Sequence, residues 1–133
     1  MDRLFLDANI LFCAAYRHSS GLLVLWRLKD VTLCMSRYAL EEARINLSDE
    51  AQRHRLIALS GSMHLFEAPD EELAEGVRLP EKDVPIMLAA MAAQSTHLLT
   101  GDVRHFGPYF GRRVCGILIL PPADYLQRRT AKS

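Results

Sequence analysis

Arg3-Leu4-Phe5-Leu6-Asp7-Ala8-Asn9 sets an apolar run, Leu4 to Leu6, directly before an acid. A short apolar run without polar alternation fits a strand buried on both faces, as in a parallel sheet. A carboxylate at the carboxyl end of such a strand faces the crevice where open α/β sheets bind ligands. His97-Leu98-Leu99-Thr100, followed at once by Gly101-Asp102, has the same pattern. If the two strands are parallel neighbours, Asp7 and Asp102 meet at one edge of the sheet.

On either side of these strands the chain alternates strand and helix signals. Ala8 to Tyr16 reads as a helix, Ser19-Ser20-Gly21 as a break, and Leu22 to Lys29 as a second apolar helix. Val31 to Met35 is a strand, and Ser36 is a good N-cap for a helix from Arg37 to Leu47. Ser48-Asp49-Glu50 restarts a helix that runs to about Leu59, and His64 to Phe66 is a short strand. The acidic segment from Pro69 reads as a short helix ending near Gly76. Val84 to Gln94 is the strongest helix, His105 to Arg113 a loop, Val114 to Leu120 a last strand, and Ala123 to Arg129 a closing helix. This alternation predicts a three-layer α/β/α fold with a mainly parallel sheet of about 4–5 strands. Residues 1–133 are expected to form one domain with a basic, frayed tail from about residue 129.

Composition narrows the function classes. Lys plus Arg and Asp plus Glu both number 16, so the net charge is zero and a strongly basic nucleic-acid platform is excluded, though a local basic rim is not. The cysteines, Cys13, Cys34 and Cys115, are far apart and show no zinc spacing; Cys13 and Cys34 are expected to be buried thiols in a reducing cytosol. Asp7 and Asn9 interrupt any signal-peptide core, and no apolar run is long enough for a membrane span. Neither GxGxxG nor GxxxxGK[ST] is present.

Four acids draw the remaining attention. Asp7 has an ordinary reading as a helix cap, Asp83 as a cap before Val84-Pro85, and Asp102 as a turn residue. Of the adjacent pair Glu41 and Glu42, Glu41 lies one turn from Arg37 and Arg44, a surface ion-pair arrangement. Glu42 neighbours Ala39, Ile45 and Asn46 and is preferred as the inward acid. Capping explains each acid singly; it does not explain why all four fall at sheet-edge or helix-start positions. Carboxylates crowded together raise one another's pKa, and a divalent cation relieves the repulsion. A set of oxygen ligands without Cys or His favours a hard ion, Mg²⁺ or Mn²⁺.

The ordered set Asp7-Ala8-Asn9, Ser36 with Glu42, Asp83 before an Ala-rich helix, and Leu99-Thr100-Gly101-Asp102 resembles the PIN-domain ribonucleases. That family includes the toxin subunits of VapBC-type toxin–antitoxin modules. The resemblance runs from residue 3 to about residue 120 and rests on the order and spacing of the motifs. It implies an acidic metal-binding set of Asp7, Glu42, Asp83 and Asp102, with Asn9 and Thr100 supporting it by hydrogen bonds and Ser36 orienting near it. It also implies metal-assisted hydrolysis of RNA to a 5′-phosphate and a 3′-hydroxyl, with a water activated by Mg²⁺ or Mn²⁺. A cytoplasmic setting, a cognate antitoxin and a homodimer are further implications. Two positions depart from the family pattern: Pro80 and Arg104 stand where many members carry acids. Fewer acids imply one firmly held ion, with a second arriving with substrate.

With zero net charge, RNA would be held by a local basic rim, for which Arg104, His105 and Arg17 are the best-placed candidates. Tyr109 and Phe110 offer stacking surfaces, although packing onto their own domain is the commoner use of loop aromatics. Two rival readings remain. One is a PIN-like interaction module without catalysis, favoured by Pro80 and Arg104. The other is an α/β phosphatase, disfavoured because Asp7-Ala8-Asn9 lacks the second Asp of a DxDx[TV] pattern.

Overall fold

The computed structural model describes residues 1–73 and 75–132. Leu4, Phe5 and Leu6 are all fully buried, although consecutive strand residues point to opposite faces. Both faces of the sheet are therefore covered, as the apolar run predicts.

Six strands form one sheet among the described residues, in the order β3-β2-β1-β4-β6-β5. They are β1 (Asp2–Leu6), β2 (Val31–Ser36), β3 (His64–Phe66), β4 (His97–Leu99), β5 (Arg113–Val114) and β6 (Ile117–Leu120). All neighbours are parallel except β5 and β6. The helices are α1 (Ala8–Tyr16), α2 (Arg37–Asn46), α3 (Glu50–Ser60), α4 (Val84–Ala92), α5 (Val103–Phe106) and α6 (Pro122–Lys132). α1 packs on α2 and α3, and α4 lies against β2.

β1 sits between β2 and β4, with Leu6 beside Leu99 in register. The connections leave β1 first in one direction, to β2 and β3, and then return to β4 on its other side. The strand order thus reverses at β1 and β4, and ligand crevices in doubly wound sheets open at such points. Asp7 and Thr100 follow these two strands immediately, so topology alone brings them together.

The structure departs from the sequence reading in six places, one of them the tail, where α6 continues to Lys132 instead of fraying from about residue 129. Six strands replace the expected four or five because Val114–Leu120 is not one strand. It is a hairpin, β5 and β6, turning at Cys115 (φ 53°) and Gly116 (φ 83°). Two successive positive φ angles are what a tight hairpin turn demands, and only Gly116 signalled it in the sequence. Gly21–Arg27 is a 3-10 helix with Leu25 alone buried, not an α-helix to Lys29; Trp26 Nε1 donates to the Leu59 carbonyl at 3.0 Å and fixes it. The acidic segment is irregular in its described residues, since Asp70, Glu71, Glu72 and Glu75 crowd like charges and Gly76 has φ 90°. The expected loop after Asp102 holds α5 and a 3-10 turn at Gly107–Tyr109. Cys13 is exposed, whereas Cys34 is buried and burial pushes its thiol pKa up.

At the sheet edge remote from Asp7, the closing helix is tied to the strand starts. The Tyr125 hydroxyl donates to Asp2 Oδ2 at 2.6 Å, and Arg129 donates to Tyr125 and Asp30. Burial, then the Asp2 contact, pushes the Tyr125 pKa up to about 12, so the phenol remains a donor. Tyr125→Phe is expected to cost about 1.5–3 kcal/mol, the usual worth of a hydrogen bond to a charged group. Urea unfolding would show this as a lower midpoint at unchanged slope.

Candidate metal centre

Asp7, Ala8, Asn9, Phe12, Glu42, Ala43, Asn46, Asp83 and Asp102 line one cleft of about 440 Å³ at the carboxyl edge of the sheet. The four acids singled out in the sequence therefore share a single cavity, each delivered by a different element.

Asp7 ends β1 and is 5% exposed. As the N-cap of α1 it accepts from Ala8 N at 2.7 Å, so the capping reading is also correct. Its other oxygen, Oδ2, accepts from the buried Thr100 hydroxyl at 2.7 Å. Asn9 Nδ2 donates to Asp7 Oδ2 and to Thr100, while Asn9 Oδ1 accepts from Gly101 N at 3.1 Å. These contacts stitch the ends of β1 and β4 together. Burial raises the Asp7 pKa to about 6, opposed by the Thr100 and Ala8 bonds and reinforced by Asp83 and Asp102.

Asp83 precedes α4 and is buried, yet it makes no capping hydrogen bond to that helix. Its Oδ2 lies 2.8 Å from His105 Nδ1. Asp102 caps α5 by accepting from His105 N at 3.0 Å, and its Oδ2 lies 3.0 Å from the same Nδ1. Thr100 Oγ1 accepts from Asp102 N, which orients the turn. Donor atoms of Asp83, Asp102 and His105 all lie within 4.8 Å of one another, a spacing that suits one cation.

Glu42 is half-buried on α2, whereas Glu41 is exposed and ion-paired with Arg44. The choice between them follows from helix geometry, which aims adjacent residues about 100° apart. Ser36 does not line the cleft; its Oγ accepts from Ala39 N at 2.8 Å and starts the helix that carries Glu42. Tyr38, one turn before Glu42, went unnoticed in the sequence. Burial, followed by the nearby charge of Glu42, raises its hydroxyl pKa. An aromatic four residues before the inward acid was the available signal.

The proposed rim residues separate. His105 turns its ring inward onto two carboxylates instead of outward. Arg104 is exposed immediately beyond Asp102. Arg17 caps the far end of α1, about 15 Å from Asp7 at 1.5 Å per residue, and lies outside the cleft. Tyr109 is committed elsewhere: its hydroxyl donates to Arg78 O and accepts from Arg78 N, holding down the segment before Asp83.

A chain of VapBC2 from Rickettsia felis, solved with a DNA fragment from its promoter, superposes with TM-score 0.63 at 16% identity. The match covers 90% of this chain and 98% of that one. The fold is that of a PIN domain. VapBC-1 from nontypeable Haemophilus influenzae matches with TM-score 0.59 at 16% identity over 91% of this chain and 98% of that one. FitAcB from Neisseria gonorrhoeae gives 0.54 at 18% identity over 90% and 98%. No protein-family model and no curated protein matches the sequence. A PIN fold explains the layout of the cleft, because its acids arrive from strand ends and helix starts fixed by the sheet. The donor chemistry fits a divalent ion: carboxylates dominate, one of them strained by burial and by its like-charged neighbours.

Proposed function

We propose that this chain is a divalent-metal-dependent endoribonuclease acting as the toxin of a toxin–antitoxin pair in the cytoplasm. The observation that carries the proposal is the convergence of Asp7, Glu42, Asp83 and Asp102 on one cleft at the switch point of the sheet. The PIN fold shared with the VapBC and FitAcB structures supports the same reading and motivates an antitoxin partner and a homodimer.

Asp7, Asp83 and Asp102 would hold Mg²⁺ or Mn²⁺. When bound, that ion supplies positive charge for the phosphate oxygens and lowers the pKa of a nearby water. Thr100 and Asn9 hold the Asp7 carboxylate in one orientation, so its charge is preorganised. Glu42 lines the cleft outside the Asp83–Asp102–His105 group, and its carboxylate would accept the proton of the attacking water. Tyr38 lies close enough to Glu42 for that acid to raise its pKa, and its hydroxyl would be a donor to the Glu42 carboxylate. Arg104, exposed beside Asp102, engages a backbone phosphate of the RNA.

Incubating the purified protein with RNA in Mn²⁺, in Mg²⁺ and in EDTA tests the reading. Cleavage that needs the ion and is lost in Asp102→Asn is the expected result; intact RNA under all conditions overturns it. Arg104→Ala is expected to weaken RNA binding evenly across sequences and to lower the salt slope of log K by about 0.7. An unchanged slope in a salt titration would remove Arg104 from the interface.

A further inference from the structure

We propose that His105 supplies a nitrogen donor to this metal centre through Nδ1, so that the centre takes a first-row transition ion such as Mn²⁺ or Co²⁺ ahead of Mg²⁺. The proposal rests on the metal-site reading above and deepens it.

The geometry around one atom carries the argument. Nδ1 of His105 faces Asp83 Oδ2 at 2.8 Å and Asp102 Oδ2 at 3.0 Å. A ring nitrogen carries at most one hydrogen, which cannot point fully at two acceptors. The same spacing is what neighbouring donors show around an octahedral ion with bonds of about 2.1 Å, whose adjacent ligands stand about 3.0 Å apart. The turn that carries the ring is also fixed. Asp102 captures the backbone His105 N at 3.0 Å, and the fully buried Phe106 anchors the next residue of the turn. Largely shielded from solvent, the imidazole presents Nδ1 to the acids as a built part of the cluster. Among the described residues, no other histidine belongs to a group spaced to hold a metal.

Oxygen donors alone leave Mg²⁺ competitive. An imidazole nitrogen favours ions later in the first transition row, because those ions bind nitrogen more strongly. His105 thus sets the ion preference, and the acids set the total charge.

The test uses the purified full-length chain loaded with Mn²⁺, with pulsed electron paramagnetic resonance reading directly bound nitrogen. A ¹⁴N coupling that changes on ¹⁵N-histidine labelling and is missing in His105→Gln is expected. Calorimetric titration should show Mn²⁺ binding weakened roughly tenfold in His105→Gln, with Mg²⁺ binding changed far less. His105→Asp, which replaces nitrogen by oxygen, should recover binding with Mg²⁺ favoured. Mn²⁺ bound without nitrogen coupling would overturn the His105 assignment while leaving the acidic metal site intact. Failure of the parent protein to bind any divalent ion would overturn both.

Discussion

Asp7→Asn is expected to make the metal-free protein more stable at pH 7.5 while abolishing ion-dependent cleavage. The Asp7 carboxyl is buried beside two other acids, and its pKa rises from 3.8 to about 6. A rise of that size corresponds to about 3 kcal/mol of unfavourable charge in the folded state. Because the folded pKa lies above the unfolded one, the proton stabilises the fold below about pH 4, and this contribution is lost as pH rises through 6. The neutral amide avoids the loss but reproduces the Thr100 and Asn9 contacts less well, so the net gain should be about 1–2 kcal/mol. Thermal melts should therefore favour the parent near pH 4, cross as pH rises between about 4 and 6, and favour Asp7→Asn in full above about pH 6.5. Activity should fall by roughly 10³-fold or more, the size expected when several kcal/mol of transition-state charge stabilisation is removed. Equal melting temperatures at pH 7.5 would show that the Asp7 charge is not strained. Added Mn²⁺ should raise the melting temperature of the parent and leave Asp7→Asn unmoved.

Phe106→Ala is expected to cost about 3–5 kcal/mol and to remove metal binding with it. The side chain is fully buried and belongs to α5, a helix of only four residues. Isolated helices of that length do not persist in water, so tertiary packing must hold this one. Its single turn carries His105 and is capped by Asp102, two of the three clustered donors. The milder Phe106→Leu keeps the site filled and should fold. Its Mn²⁺ affinity should still fall, because the turn is held less firmly. Parent-like affinity in Phe106→Leu, measured by calorimetry, would show that the donors are positioned independently of the core.

The acids were legible in the sequence because the sheet alone dictates where Asp7 and Asp102 go. Asp7 directly follows β1 and Asp102 comes two residues beyond Thr100 at the end of β4, and parallel pairing of β1 with β4 brings both to the same edge. Glu42 was legible through helical phase. His105 was not, since its inward turn depends on Asp102 capping a short helix that periodicity cannot register over four residues. Tyr109 was misleading for a similar reason: its exposed-looking loop position hides a two-way contact with the Arg78 backbone. The hairpin at Cys115-Gly116 was missed because a cysteine at positive φ carries no turn signal.

The outer strands β3 and β5 have three and two residues. Neither rim therefore presents a ladder of unpaired amides long enough to template an added strand from another chain. A protein that recognises this one must grip helix surfaces and side chains instead of extending the sheet. The same brevity should keep concentrated solutions free of edge-to-edge fibrils.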